Sequence, residues 1–487
     1  MIRRARITCL AAVALASAAS IAAADVTLGS LFNDHMVLQR DHANPLWGKA
    51  TPNARVEVTI DGKSVSRTEA DTDGSFRFTL PKLAAGGPHV IAVTDDGKPA
   101  TINDVLIGDV WVCSGQSNMQ WSLESTRDAA TEIAAATLPN VRLYHVPRVG
   151  AAEPVKTVEA QWTPCEPETA KNFSAVAYFF ARHLNNELNV PIGLIHTSWG
   201  GTPAEAWTPL PKLETLTHLP VLQTQLARRA AGIKGEALAP STQPMKVDNQ
   251  NTPASLYNGM IAPLQDFGIK GAIWYQGESN ASRFQEYETL LSTMIESWRD
   301  QFGQGDFPFY IVGLANFHPP IQDPNIPSEW AGLREAQRQV GRGVKNAAMT
   351  VTIDIGEEKD IHPRNKQDVG KRLALVALAD TYDKKLVSRG PTVDDVEWKD
   401  GQVIITFNHI GGGLKSIHEP LESFAVAGED GKWFWADAKI DDDGGEVILS
   451  SPNVKSPTKV RYAWADNPKA TLFNAEGLPA EPFEAAK

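Results

Sequence analysis

Cysteine is nearly absent: the 487-residue chain has three, and one of them, Cys9, lies within the first two dozen positions. That rules out a disulfide-stapled scaffold and any four-cysteine zinc site. No His-Glu-x-x-His pair, paired-cysteine motif or calcium-loop pattern occurs, so no metal is expected. The glycine signatures of phosphate loops and dinucleotide folds are missing too, and no cofactor is expected. Beyond the N-terminus no apolar run approaches the ~20 residues of a membrane helix. There is no basic stripe, and the formal net charge is −12, which argues against nucleic acid and anionic membranes as partners. A neutral sugar is untouched by that argument.

At 42% hydrophobic and 21% charged, the composition is that of packed domains rather than disorder. The first 24 residues have the three parts of an export signal. Arg3, Arg4 and Arg6 form the basic region, an Ala-rich apolar stretch follows, and Ala22-Ala23-Ala24 offers a cleavage site. Cleavage there takes the net charge from −12 to −15 and leaves an exported, periplasmic or secreted protein with no membrane anchor. Of the cysteines that remain, Cys113 sits on an apolar run and reads as a buried thiol.

Residues 25–103 read as a small β-sandwich. Val56, Val58 and Ile60 alternate with Glu57 and Thr59, and Asp61-Gly62 is a hairpin turn. Phe76, Phe78 and Leu80 repeat the alternation. Residues 104–385 then alternate buried strands with helices, the pattern of a parallel sheet covered on both faces. Its strands include Val110–Cys113, Pro191–Ile195, Gly271–Tyr275, Phe309–Val312 and Met349–Ile353. One helix starts at the cap Ser174 and runs to about Asn189; another shows Phe284, Tyr287, Leu291, Met294, Ile295 and Trp298 on one face. The polar stretch 208–252 reads as an insertion or lid, and 386–487 as a second β-sandwich.

In such sheets ligands bind beyond the carboxyl ends of the strands. Four polar segments follow strands in this chain. CSGQSNMQ (113–120) carries Ser117, which lacks the glycine two places later that the common hydrolase elbow requires, having Met119 there. A nucleophilic serine needs a base, an orienting group and oxyanion donors. His362, in Lys359-Asp360-Ile361-His362-Pro363, has the best local setting of the eleven histidines. Pro363 favours an extended conformation there, which would turn Asp360 to the same side as His362. His196 is the competing base and Ser279 the competing nucleophile. Gly200 and Gly201 allow close backbone approach, and Gln276 stands directly after a strand with an amide to donate. Trp121, Trp199 and Trp207 lie close to these segments and offer faces for stacking on sugars.

GQSNM, SWGGT, WYQGESNA and DIHP together resemble the sialate O-acetylesterase-like group of SGNH hydrolases. LFNDHMVLQR near the start and VRYAWADNPKATLFNAEGLPAEPF near the end extend the resemblance over nearly the whole chain after residue 24. It implies a flavodoxin-like three-layer α/β domain flanked by β-sandwiches, and a serine esterase that removes O-acetyl groups from carbohydrate through an acetyl-enzyme. The sugar would be acetylated sialic acid or a plant polysaccharide such as xyloglucan or xylan. By position, Ser117 is the nucleophile, His362 the base and Asp360 the acid, with Asp354 and Glu357 in reserve. The oxyanion hole is Ser117, Gly200, Gly201 and Gln276; Asn118, Trp199 and Glu278 are expected to bind substrate. Gln276 replaces the asparagine usual in the third block, and Lys359 occupies the usual acid position. The alternatives are a non-catalytic carbohydrate-binding protein and a lipase- or thioesterase-like hydrolase.

Overall fold

A computed structural model describes residues 25–95, 97–239 and 241–487. The export signal expected in residues 1–24 lies outside the described residues. The architecture is mixed α/β, with one large mixed sheet at its centre and separate β-sheets at the C-terminus.

Seven strands form the main path of the large sheet: β1 (Ala100–Gly115), β2 (Leu138–His145), β3 (Trp162–Cys165), β4 (Ile192–Ser198), β5 (Gly271–Tyr275), β6 (Phe309–Val312) and β7 (Ala347–Thr350). Their spatial order is β3-β2-β4-β1-β5-β6-β7, and every neighbouring pair is parallel except the edge pair β3–β2. After β1 the chain goes first to one side of it (β2, β4) and later to the other (β5, β6, β7). β1 is therefore the point where the strand order reverses.

Side chains on these strands alternate between two cores, as the pleat requires. Trp111, Cys113, Ile273, Tyr310 and Val312 face one core, with helices α1 (Ala175–Leu188) and α4 (Lys366–Asp380) packed over it. Val110, Val112, Ala272, Trp274 and Ile311 face the other, covered by α2 (Tyr287–Phe302) and α3 (Glu329–Gly343). Trp111 is fully buried between Phe180, edge-on at 5.1 Å, and Tyr310, stacked at 5.9 Å. A side chain of that size contributes about 3 kcal/mol when sealed from water. The predicted ends of α1 are those observed. Ser174 accepts from the Ala177 N–H, and Asn189 closes the helix in the left-handed conformation. Cys113 and Cys165 are both buried and free.

The boundary expected at 103/104 falls inside β1. The first half of that strand pairs with Gly86–Thr94 and with Val37–Gln39, and its second half is the centre of the parallel sheet. Val37–Gln39, Arg55–Ile60, Lys63–Glu69 and Gly86–Thr94 are thus hydrogen-bonded into the large sheet, while Thr27–Leu28, Pro45–Lys49 and Ser75–Thr79 form a separate three-stranded sheet; the apolar residues of both groups join one of the large sheet's two cores. The hairpin at Asp61-Gly62 is present, both residues having positive φ. Residues 208–252 include the helix Pro220–Ile233, whose first turn is capped from a distance: Glu286 accepts from the Val221 and Leu222 N–H groups at 2.8 and 3.2 Å. At the C-terminus two four-stranded sheets and a two-stranded one enclose a third apolar core.

Arg334 joins this C-terminal part to the large sheet. It is 2% exposed and donates to the carbonyls of Leu314, Ala315, Ala465 and Asp466. Arg334→Met takes a donor from all four carbonyls at once and leaves those of Leu314 and Ala465 without a partner among the described residues, since Ala315 still accepts from Trp330 and Asp466 from the Phe317 N–H. The urea midpoint should fall by the equivalent of about 3 kcal/mol or more, and an unchanged midpoint would contradict the role.

Candidate active site

The register of the three central strands puts their carboxyl ends level. Gly115 lies opposite Ser198 on one side and Tyr275 on the other. Gly115 has φ +141°, and a Cβ on it would lie 2.1 Å from the Tyr275 carbonyl oxygen. Only glycine allows that approach, and it turns the chain sharply out of β1. One helical turn, Ser117–Gln120, begins there, with Ser117 half-buried at its start. Gln116 holds this turn to the segment after β5, its Oε1 accepting from the N–H groups of Gly277 and Ser279.

The loop after β4 comes up against the same turn. A Cβ on Gly200 would be 3.2 Å from that of Ser117. Gly201 has φ +71°, with open space around its Cα. The Gly200 N–H donates to Gln120 Oε1 at 2.7 Å. Among the described residues the N–H groups of Ser117 and Gly201 have no hydrogen-bond acceptor.

His362 comes from the loop between β7 and α4. Its ring stacks on Trp121 at 4.9 Å with the planes 13° apart, and Asn118 Nδ2 donates to the neighbouring Ile361 carbonyl at 3.0 Å. Ser117 and His362 are thus on adjoining segments, although no hydrogen bond joins Ser117 Oγ to the imidazole. Asp360 Oδ1 accepts from the His362 backbone N–H at 2.9 Å and lies 3.7 Å from the ring Nδ1. The reserve acids are engaged elsewhere. Asp354 forms a two-pronged pair with Arg372, and Glu357 accepts from the Arg364 N–H. Burial pushes the His362 pKa below its usual value; the charge of Lys366 adds to this, and Asp360 opposes it.

Several expected residues have other surroundings. Gln276 is fully buried, donating to the Thr202 carbonyl and Asn280 Oδ1 and accepting from the Tyr287 hydroxyl. With both amide hydrogens committed, it is not presented to an oxyanion here. Asn118 is 1% exposed, and its amide is committed at both ends, so it reaches no substrate. Glu278 accepts from Asn118 at 2.6 Å through Oε1, while Oε2 is sealed from solvent without a partner; burial raises its pKa. The physical reason is shared: the backbone leaves these strand ends pointing inward, where amide and carboxylate groups satisfy each other. His196 is buried in β4, bonded to Ser198 Oγ at 2.6 Å. Trp207 is core, whereas Trp199 is half-buried under the exposed Arg148 guanidinium, 5.9 Å from its ring centroid.

Two neighbours of Ser117 escaped the sequence reading, Gln120 and Lys366. Lys366 left a trace there. It is the first residue of α4, where the positive end of the helix dipole disfavours a cation, so a lysine at that position needs a compensating environment.

Ser117 and His362, both half-buried, thus lie on adjoining segments beyond the carboxyl ends of the strands. A family model described as carbohydrate esterase, sialic acid-specific acetylesterase, matches residues 107–379, more than half of the chain. The human sialate O-acetylesterase is 30% identical, with 93% of this chain and 91% of the relative aligned, and the mouse protein of that name is 29% identical over 93% of each. A crystal structure of a carbohydrate acetylesterase from Xanthomonas citri is 36% identical and superposes with a TM-score of 0.84, covering 95% of this chain and all of that one. The chain belongs to this carbohydrate esterase family and is a carbohydrate O-acetylesterase.

Gly115→Ala would drive a methyl group into the Tyr275 carbonyl. The expected result is a folded but destabilised protein with roughly 100-fold lower esterase activity, the penalty for about an ångström of misplacement. Wild-type turnover in this variant would show that the approach is dispensable.

Proposed function

We propose that the chain removes acetyl groups from O-acetylated sugars on a flavodoxin-like SGNH framework, with Ser117 as nucleophile and His362 as general base. The observation that carries this reading is the shared level of Gly115, Ser198 and Tyr275, from which the Ser117 turn and the Gly200-Gly201 loop leave side by side, with the His362 loop held against the same turn by Asn118 and Trp121. The five strands β4-β1-β5-β6-β7 have the flavodoxin order, and the rim lies at their switch point.

In the reaction, His362 takes the hydroxyl proton as Ser117 Oγ attacks the acetyl carbonyl. The oxyanion is received by the Ser117 and Gly201 N–H groups, each worth on the order of 3 kcal/mol in acyl-transfer sites. The Gly200 N–H becomes a third donor only if Gln120 turns away. His362 then protonates the departing sugar hydroxyl, and a water activated by the same imidazole releases acetate from the acetyl-enzyme. Asp360 acts chiefly through its charge, favouring the imidazolium that forms in the transition state.

Acetylated sialic acid is the proposed substrate, ahead of acetylated xyloglucan or xylan. The description of the family model supports it, and so does Arg148, whose exposed cation above Trp199 suits a sugar carrying a carboxylate. Export follows from the N-terminal arginine cluster and apolar stretch. Among the described residues, no helix is long and apolar enough to cross a membrane.

Acetate release from acetylated sialic acids should exceed that from acetylated xylan oligosaccharides, and the reverse order would move the substrate to plant polysaccharide. With p-nitrophenyl acetate, Ser117→Ala and His362→Ala should each lose roughly 10³-fold or more; a preference for octanoyl over acetyl esters would favour a lipase-like reading. The acid limb of kcat/KM should lie below the 6.5 of an ordinary histidine, because the base works only when neutral. Asp360→Asn removes the charge that raises the His362 pKa, so the limb should move further down. An upward shift would reject that role for Asp360.

A further inference from the structure

Lys366 has no place in the chemistry above, yet its ammonium is the most confined charge near the nucleophile. The residue is 0% exposed. Its Nζ donates to Asn118 Oδ1 at 2.5 Å and lies over the rings of Tyr275 at 5.4 Å and Trp121 at 5.9 Å. Asn118 directly follows Ser117. Its other end donates to Glu278 Oε1 and to the Ile361 carbonyl, next to His362. One side-chain amide thus ties four segments together: the nucleophile turn, the segment after β5, the histidine loop and the start of α4. Trp121 spans the same junction, with His362 on its ring and Lys366 near it.

We propose that Lys366 is a positioning residue for the ester hydrolysis, holding Asn118 so that Ser117 and the His362 loop stay in mutual register. The inference rests on the assignment of Ser117 and His362 above. An asparagine amide left to itself can turn over and exchange its donor and acceptor ends. With a buried ammonium on the oxygen side, only one orientation satisfies both Glu278 and the Ile361 carbonyl, because an ammonium can donate but never accept. A hydrophobic residue at 366 would leave Asn118 Oδ1 buried without a donor, with the amide held only from its Nδ2 side by Glu278 and the Ile361 carbonyl.

The surroundings of the ammonium are consistent with a role in tuning as well as holding. Glu278 faces it from the segment after β5, and Asp360 and Glu357 face it from the histidine loop. Burial outweighs their attraction and pushes the Lys366 pKa down to about 7. Below that pH the ammonium is charged, so over the acid limb it opposes protonation of His362, whose own loop supplies Asp360 with the contrary effect. Removing the lysine charge should therefore raise the pH at which His362 protonates.

Lys366→Met and Lys366→Gln in the full chain separate holding from tuning. Lys366→Met should lose roughly 10- to 100-fold in kcat/KM for p-nitrophenyl acetate. Lys366→Gln keeps an N–H donor toward Asn118 and should lose less. In both, the acid limb should move up by roughly half to one pH unit, the opposite direction to Asp360→Asn. A soluble Lys366→Met with wild-type kcat/KM, or with an unmoved limb, overturns the proposal. If Lys366→Met fails to fold, an unmoved limb in Lys366→Gln does so instead. Ser117→Ala and His362→Ala measured alongside separate the two readings. Activity in either would defeat the assignment of the nucleophile or base, whereas inactive alanine variants with a normal lysine variant defeat only the positioning role.

Discussion

The level ends of β4, β1 and β5 are the constraint on which the site depends. Parallel strands pair through evenly spaced, slanted hydrogen bonds, and once the register is set, the height at which each strand stops is set too. Gly115, Ser198 and Tyr275 stop together, and the chain leaves all three strands within reach of one point. A slip of one residue in β1 would move its end by roughly 3.3 Å and exchange its two faces. Trp111 and Cys113 would then face the core filled by Val110 and Val112. The packing of four helices on two faces therefore protects the register, and the register positions the rim.

Beneath that rim the structure holds an unusual amount of buried polarity. Gln276, Asn280 and Glu205 satisfy one another, with Arg283 closing the cluster on Glu205; Asn118, Glu278 and Lys366 form a second group. Groups of this kind stabilise a fold weakly, because the cost of desolvating them offsets their attraction. What they supply is definition. Apart from Glu278 Oε2 these groups are paired, and a network so paired in a low-dielectric setting has one good arrangement, which fixes the backbone segments that carry the proposed nucleophile and base. Burial is the main reason the His362 pKa is lowered; the charge of Lys366 adds to it, and Asp360 on the histidine's own loop opposes it.

Much of the architecture was legible because it rests on local rules. The cap at Ser174, the left-handed stop at Asn189 and the turn at Asp61-Gly62 are decided by the residues themselves. The buried strands Gly271–Tyr275 and Phe309–Val312 were legible as short apolar runs between turns. The boundary at 103/104 was not, because alternating and continuous apolar patterns meet within one strand without any break in the chain. At the site, Ser117 and His362 were singled out from their positions after strands, and the structure brings their segments together. Gln276, Asn118 and Glu278 carry the same functional groups whether they face a substrate or each other. Their sequence positions alone could not separate the two roles.

The sequence by itself determined the class of fold, the position of the serine at a strand end, the histidine ahead of a helix and the membership of a carbohydrate esterase family. Those properties follow from hydrophobic period, turn chemistry and short motifs, all of which act over a few residues. Only the tertiary structure decided which polar side chains were consumed inside the protein and which stayed available at the rim. It turned Gln276 and Asn118 into internal ties, engaged the Gly200 N–H with Gln120, and enclosed Lys366 behind the Ser117 turn. The reason is physical: a hydrogen bond's partner is chosen by distance in space, and segments more than 200 residues apart meet only when the sheet closes.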